Sequence, residues 1–297
     1  MKFFSLFSVL LISLTTLFCG CKSEADSGKL KVAAGLPPIA GLVKIIGGER
    51  VEVTSVLPEG KTPHDFAPTP KTIRQTSGTK IFFTTRMPFE DKIANTVQKS
   101  SRICDVSQGI ERIAFHDGAN HQHHHHGESC SHDSHDPHVW LAPANAIIIA
   151  DNIRAELTAV DPAGAEYYQK NFDAFKEQMS AIDREISEKL AAHKGKTFFV
   201  YHPAFGYFAH AYSLKQRAIE LNGREIGSNQ LSAITKEAKE ADVSTIFVQE
   251  QFNPRSAKAL AEQIGVDVFP LDPLAEDLPG NLKKIAGALE KGFAGKR

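Results

Sequence analysis

Cysteine is scarce in this chain, and its scarcity limits the kinds of fold that are available. The 297 residues include four cysteines, of which Cys19 and Cys21 lie near the N-terminus. Cys104 stands in an apolar stretch that predicts a strand, and Cys130 stands among histidines, where it is a candidate soft auxiliary ligand. A disulfide between Cys104 and Cys130 stays open. So few cysteines exclude the disulfide framework of small secreted domains, and a hydrophobic core must stabilise the fold.

An excess of either charge is also absent. The chain has 34 lysines and arginines against 35 aspartates and glutamates, and its formal net charge is −1. No basic patch interrupts this balance. Proteins that bind nucleic acid need such a patch to neutralise phosphates, so we do not expect nucleic acid as a partner.

Long apolar runs are limited to the first residues of the chain. The run from Phe3 to Phe18 follows Lys2, is near the lower length limit for crossing a bilayer, and ends just before the small residue Gly20. These features predict a signal peptide over residues 1–20. The protein is therefore expected to work outside the cytoplasm, in the periplasm or at the cell surface.

Histidine, in contrast, is abundant in one internal segment. Nine of the thirteen histidines lie between His116 and His138, whereas an expression tag stands at a terminus. Imidazole is a common ligand of Zn²⁺, and a segment this polar stays solvated because it cannot bury a core. We therefore predict weak auxiliary metal sites formed by His116, His121, His123, His124, His125, His126, His132 and His135.

Short β-branched or aromatic runs alternate with helical patterns from Lys29 onward. This alternation predicts an α/β fold with parallel sheets covered by helices. The strands predicted in the first half are 30–35, 51–57, 80–85 and 102–106, with helices near 39–46, 70–76 and 88–99. The strands predicted in the second half are 197–202, 215–220, 244–250 and 266–271. The sequence thus predicts two lobes of the same architecture.

A long amphipathic helix is predicted between the two lobes. Apolar residues three and four positions apart form one face, which comprises Tyr168, Phe172, Phe175, Met179, Ile182, Ile186 and Leu190. Asp161 is the predicted N-cap, and Gly195 is the predicted stop. The predicted organisation is a lipid-anchor tether at 21–28, an N-terminal lobe at 29–160 that includes the histidine-rich loop 116–137, a linking helix at 161–193 and a C-terminal lobe at 194–297.

Four side chains that commonly bind metals follow the ends of predicted strands or loops. His64 and His138 lie in the first half, and His202 and Asp272 lie in the second. Ligands of open α/β sheets bind beyond the carboxyl ends of the strands, so these side chains are expected to meet between the lobes. Each has an alternative role: a turn residue for His64, a further loop histidine for His138, a core histidine for His202 and a helix cap for Asp272.

The same positions carry a resemblance that covers essentially the whole mature chain. It is carried by the segments Pro63-His64-Asp65-Phe66-Ala67-Pro68-Thr69-Pro70, Asp136-Pro137-His138-Val139-Trp140-Leu141-Ala142-Pro143, His202-Pro203-Ala204-Phe205-Gly206-Tyr207-Phe208 and Leu271-Asp272-Pro273-Leu274. Together they resemble the metal-binding lipoprotein family of ABC-transporter solute-binding proteins. The resemblance implies two Rossmann-like lobes, each with a four-stranded mainly parallel sheet, joined by one long rigid helix. It also implies that His64, His138, His202 and Asp272 hold one metal in the interlobe cleft.

The resemblance extends to the N-terminus. The segment Leu17-Phe18-Cys19-Gly20-Cys21 resembles a bacterial lipobox, which implies that Cys21 becomes the lipidated first residue of the mature protein. Phe18 and Cys19 are not the favoured residues of that motif, so simple cleavage of the leader is the alternative. In either case the mature protein lies outside the cytoplasm.

The predicted ligands favour zinc over manganese. Three imidazoles and one carboxylate suit Zn²⁺ at tetrahedral geometry, whereas Mn²⁺ favours more oxygen ligands. By the resemblance, manganese-type relatives carry a carboxylate where this chain has His202, and the histidine-rich loop is typical of the zinc branch. Glu250 is either an outer acceptor for a ligand histidine or a solvated strand-end residue, and residues 249–252 depart from the usual spelling of the family.

We therefore expect a monomeric protein that captures extracytoplasmic Zn²⁺ and delivers it to the membrane permease of an ABC transporter, without covalent chemistry. A secreted zinc hydrolase is the alternative from another class, because three histidines can also hold a catalytic zinc. The sequence has no His-Glu-x-x-His motif, Asp272 would close the open coordination position, and Glu250 is the one obvious general-base candidate. A metal buffer or adhesin without a transporter is a third alternative.

Deletion of residues 121–135 tests the role of the histidine-rich loop. We expect the deletion to leave one tight zinc equivalent and to remove the weaker ones, because the tight site is predicted at the strand ends. Zinc titration of the intact and the shortened protein measures both stoichiometry and affinity. Loss of all high-affinity binding in the shortened protein would contradict this assignment.

Overall fold

The computed structural model describes residues 28–115, 135–220, 228–240, 243–249, 251 and 255–295. The predicted signal peptide, Cys21 and most of the tether lie outside these residues, as do residues 116–134 of the histidine-rich loop. Within the described ranges, no helix combines the length and the apolar character that a membrane span requires.

The N-terminal lobe is built on a four-stranded parallel sheet. Its strands are β1 (Leu30–Ala34), β2 (Val51–Ser55), β3 (Ile81–Thr84) and β4 (Arg102–Asp105), in the spatial order β2-β1-β3-β4. Its helices are α1 (Pro37–Gly47), α2 (Pro70–Ser77), α3 (Pro88–Val97) and α4 (Pro143–Val160). All four helices begin with proline in the first turn, where the missing N–H costs no helical hydrogen bond.

Helix α4 is an element that the sequence pattern does not predict. Three consecutive isoleucines, Ile147 to Ile149, point to different sides of this helix and obscure its amphipathic period. Ile149 and Ile153 are fully buried, and α4 follows directly after the segment that contains His138. The helix therefore supports the loop of a predicted ligand.

The linking helix is α5 (Ala165–Leu190), and all seven residues of its predicted apolar face are buried. Asp161 occupies the N-cap position of a short 3-10 turn, Pro162–Gly164, that leads directly into α5, although its side chain makes no capping hydrogen bond there. The Asp161 carboxylate instead accepts hydrogen bonds from Arg50 Nε (2.8 Å) and the Tyr168 hydroxyl (2.6 Å). Through Asp161, these charge-assisted bonds tie Tyr168 at the start of α5 to Arg50 of the N-terminal lobe.

The C-terminal lobe repeats the architecture of the N-terminal lobe. Its strands are β5 (Thr197–Val200), β6 (Lys215–Ala218), β7 (Thr245–Val248) and β8 (Asp267–Pro270), all parallel and in the order β6-β5-β7-β8. Its helices are α6 (Gly206–Ala211), α7 (Ser228–Glu240), α8 (Arg255–Ile264) and α9 (Leu278–Ala294). The same strand order in both sheets confirms the predicted pair of α/β lobes.

One hydrophobic core runs through both lobes. It joins buried residues of β1, β3, α1, α4 and α5 to residues of the C-terminal lobe such as Phe198 and Phe205, and to the inner face of α9. A second, smaller cluster around Phe199, Ile246 and Leu260 lies within the C-terminal lobe. Because the first core crosses the interlobe boundary, rotation of one lobe as a rigid body would expose apolar surface at a cost of about 25 cal/mol per Å².

A buried carboxyl group holds the turn between β3 and α3. Glu90 is fully buried, and its Oε2 accepts hydrogen bonds from Thr84 Oγ1, Thr85 N and Met87 N, each at 2.9 Å. These bonds surround Arg86, which has a φ of 72° in the left-handed region. Burial raises the pKa of Glu90 to about 7, although the hydrogen bonds oppose this shift.

The raised pKa of Glu90 predicts a pH-dependent stability. Between the ordinary value of 4.5 and the folded value of about 7, the folded protein retains a proton that the unfolded chain loses, so stability falls as the pH rises. From about pH 5 to pH 7 the unfolding free energy of the parent protein should fall by about 2 kcal/mol relative to Glu90→Gln. Denaturant unfolding at several pH values measures this difference, with the exposed Glu262→Gln as the control; parallel pH profiles for all three proteins would contradict it.

Candidate metal centre

Three of the four predicted ligands come together between the lobes. His64 lies on the loop between β2 and α2, His138 lies shortly before α4, and His202 lies two residues after β5. One ligand atom from each histidine lies within 4.8 Å of the other two. The ring centroids are 4.6 Å apart for His64 and His202, 5.2 Å for His138 and His202, and 5.5 Å for His64 and His138. Such a group can hold a single metal ion.

Asp136 orients the His138 ring by binding its Nδ1, the ring nitrogen that does not face the cleft. One oxygen of its buried carboxylate, Oδ1, lies 2.8 Å from His138 Nδ1 and also accepts from the backbone N of His138 at 2.9 Å. Because a carboxylate accepts and does not donate, Nδ1 carries the proton and Nε2 presents a lone pair to the cleft. The sequence signal for Asp136 is its position two residues before a ligand histidine.

Glu220 and Gln249 orient His202 in a similar way. Glu220 is buried and forms a close hydrogen bond with His202 Nδ1, which again leaves Nε2 directed at the cleft. The fully buried Gln249 amide holds the backbone of His202: its Oε1 accepts from His202 N at 3.0 Å, and its Nε2 donates to His202 O at 2.6 Å. Neither residue is predicted from the sequence, although Gln249 directly follows β7 and Glu220 lies two residues after β6.

The distance between two ring nitrogens fits a tetrahedral metal. The Nε2 atoms of His138 and His202 lie 3.3 Å apart. Two ligands of a tetrahedral zinc, with Zn–N bonds of about 2.0–2.1 Å, are separated by about 3.3 Å. With both Nδ1 protons donated to carboxylates, two lone pairs face each other at this distance, and a shared cation removes the repulsion between them.

The surroundings of His64 and His202 favour their neutral forms. The pKa of His64 is lowered to about 2, first by loss of hydration and then by the neighbouring His202 and His138. Burial also lowers the pKa of His202, although the hydrogen bond that its Nδ1 donates to Glu220 opposes the shift. Neutral imidazole is the form that binds a metal, so these groups are ready for capture without losing a proton.

Asp272, the fourth predicted ligand, does not belong to the three-histidine group. Its Oδ1 accepts hydrogen bonds from Gln251 Nε2 (2.9 Å) and Leu274 N (2.8 Å). Asp272 lines an interlobe cavity of about 290 Å³ together with Gln251 and Lys61. Its role as a ligand therefore stays a prediction.

The remaining predicted metal-binding residues lie mostly beyond the described part of the chain. His135 is described: it is exposed and forms an antiparallel backbone bridge with Ala114 at the base of the histidine-rich loop. Cys104 is half-buried on β4, and burial raises the pKa of its thiol to about 12. The residues outside the described ranges are His116, His121, His123, His124, His125, His126, Cys130, His132 and Glu250.

Fold and site together define a two-lobed α/β protein with an interlobe site suited to a metal ion. Residues 32–291 match the model of the family described as zinc-uptake complex component A, periplasmic. The chain belongs to this family.

Individual relatives agree with this assignment. The zinc-binding lipoprotein AdcA of Streptococcus pneumoniae serotype 4 is 30% identical over 283 residues, which cover 90% of this chain and 55% of AdcA, so the chain spans about half of that relative. The manganese ABC transporter substrate-binding lipoprotein PsaA of Streptococcus mitis is 28% identical over 98% of this chain and 99% of PsaA. A crystal structure of ZnuA superposes with a TM-score of 0.80 at 28% identity, covering 89% of this chain and 99% of ZnuA.

The lowered histidine pKa values predict a shallow pH dependence of zinc binding. Three imidazoles with an ordinary pKa near 6.5 would lose affinity by about three decades per pH unit below that value. Because the pKa values of His64 and His202 are both lowered, we expect a loss shallower than three decades per pH unit between about pH 6.5 and 5. Competition against a chelator of known protonation constants measures the slope for the tightest equivalent, and a three-decade slope would refute this expectation.

Proposed function

We propose that this protein captures extracytoplasmic Zn²⁺ and delivers it to the permease of an ABC transporter. The observation that carries the proposal is the group of three imidazoles, two of them oriented by buried carboxylates, at the boundary between the lobes. Membership in a zinc-uptake family supports the same function, and the relatives are named as substrate-binding components of transporters rather than as enzymes.

The donor set favours zinc as the transported metal. The relatives include proteins named for zinc and for manganese, so the family alone leaves the metal open. Three neutral nitrogen donors suit Zn²⁺, whereas Mn²⁺ prefers a site with more oxygen donors. We propose Asp272 as the fourth ligand, which would complete a tetrahedral set with a single negative charge.

Release is proposed to proceed through local loop movement. The shared core opposes rotation of the lobes, and His202 is fixed by contacts with Glu220 and Gln249. His64 is the most exposed of the three histidines, and Phe66 in the segment after it makes an edge contact with Phe89, with ring centroids 5.3 Å apart. Docking of the permease would thus loosen His64 more easily than His202.

We also propose that the protein is anchored in the membrane next to its permease. Relatives named as lipoproteins support a lipid anchor, which we place at Cys21. The anchor would hold the protein beside its membrane permease, and a monomer with one metal site per chain is sufficient for delivery. The histidine-rich loop would raise the local zinc concentration through weak sites.

Metal titration with matched histidine variants tests this function. We expect the parent protein to bind one Zn²⁺ tightly and Mn²⁺ far more weakly. His202→Ala should weaken the tight zinc equivalent by at least about a hundredfold, because it removes one metal–ligand bond while Glu220 loses its partner. His210→Ala, at an exposed position on α6, is the control and should leave affinity unchanged.

Four outcomes would overturn parts of the proposal. Equal affinity for Zn²⁺ and Mn²⁺ would contradict the choice of metal. If only weak zinc equivalents are found and His202→Ala leaves them unchanged, all metal binding would lie in the histidine-rich loop. Zinc-dependent turnover of ester or peptide substrates by the parent protein, lost in His202→Ala, would favour the hydrolase. Normal zinc-limited growth of cells that lack this protein would favour a buffer or adhesin over a transport component.

A further inference from the structure

The Asp272 carboxylate is held by hydrogen bonds at a position apart from the three histidines. The carboxylate of this residue stands outside the three-histidine group, yet it lines an interlobe cavity together with Lys61 and Gln251. Both of its described hydrogen bonds converge on one oxygen, Oδ1, which accepts from the Gln251 side chain and from the backbone of Leu274. Because this carboxylate lies outside the three-histidine group, its side chain must move to bind a metal there, and that movement would break these two bonds.

The backbone around Asp272 is fixed on several sides. Its carbonyl oxygen accepts from Asn281 Nδ2 at 2.6 Å, and the next carbonyl oxygen, that of Pro273, accepts from the buried indole Nε1 of Trp140 at 2.7 Å. Trp140 stands two residues after His138, so this bond joins the loops of two predicted ligands across the lobes. With the main chain held in this way, movement of Asp272 toward the histidines is confined to rotation of its side chain.

Gln251 is the side chain that opposes this rotation. It stands shortly after β7, and its Nε2 lies 2.9 Å from Asp272 Oδ1. The bond from Leu274 N to Asp272 is a local turn bond within the loop that carries Asp272. The bond from Gln251 Nε2, in contrast, comes from a residue near the end of another strand, β7. A bond of the second kind can be removed by substitution without a change in the loop that carries Asp272.

We infer that Gln251 is a positioning residue that holds the Asp272 side chain outside the three-histidine group. Its amide competes with the metal for this carboxylate. The inference rests on the proposed zinc-binding function and on Asp272 as the fourth ligand. The bond stabilises the metal-free protein and is lost when Asp272 binds zinc. Gln251 therefore lowers zinc affinity and speeds zinc release, which suits a protein that must pass its metal to a permease.

Substitution of Gln251 by methionine removes the amide at similar volume. We expect Gln251→Met to bind zinc about tenfold more tightly, which is the scale of one hydrogen bond to a charged group, and to release zinc more slowly to a chelator. Gln251→Asn keeps an amide on a shorter side chain and should lie between the two. Gln263→Met, at an exposed position on α8, is the matched control and should behave as the parent protein.

A double-mutant cycle separates this role from a structural one. In an Asp272→Ala background, Gln251→Met should no longer change affinity or release, because the carboxylate for which the amide competes is gone. Weaker zinc binding in Gln251→Met would overturn the inference, since it would mean that Gln251 supports Asp272 on the metal. An equal effect with and without Asp272 would also overturn it.

Failure of the inference is distinguishable from failure of the proposed function. If His202→Ala abolishes tight binding while Gln251→Met has no effect, the zinc site stands and the role of Gln251 is wrong. If tight binding ignores both His202→Ala and Asp272→Ala, the proposed site itself is wrong. Thermal unfolding of each metal-free variant identifies any substitution that acts through loss of the fold.

Discussion

The close approach of three neutral imidazoles is the constraint on which the rest of this structure depends. The Nε2 atoms of His138 and His202 face each other at 3.3 Å, with their protons placed on the opposite ring nitrogens by Asp136 and Glu220. Unshared lone pairs at this distance repel, so the protein must hold the rings in place before a cation arrives. Buried carboxylates and a common core supply that rigidity, and they leave a site that a small cation of tetrahedral preference completes.

The same rigidity determines how the metal can enter and leave. A core shared between the lobes opposes wide opening, in contrast to binding proteins that close around a ligand by hinge motion. Exchange must then depend on groups with few attachments. His64 lies on an exposed loop, and Asp272, which we propose as the fourth ligand, is a single side chain on a fixed backbone. In this proposal His64 and Asp272 are the mobile half of the site, and His138 and His202 are the fixed half.

The sequence is informative where function and fold share a local signal. His64, His138 and His202 stand beyond strand ends or at the close of a polar loop, and the seven apolar residues of α5 are spaced for one helix face, so these features are predictable. Glu220 and Gln249 act on His202 through contacts 18 and 47 residues away in the chain, which no local pattern encodes. The pairing of the Asp161 carboxylate with Arg50, 111 residues away, is likewise encoded by no local pattern.

Zinc K-edge X-ray absorption of the full protein loaded with one equivalent tests the central claim most directly. We expect four nitrogen or oxygen neighbours of zinc at about 2.0–2.2 Å, with the outer-shell scattering of three imidazoles. In His138→Ala we expect the scattering of one imidazole to be lost. A spectrum that His138→Ala leaves unchanged would place the first zinc elsewhere in the chain and contradict the interlobe site.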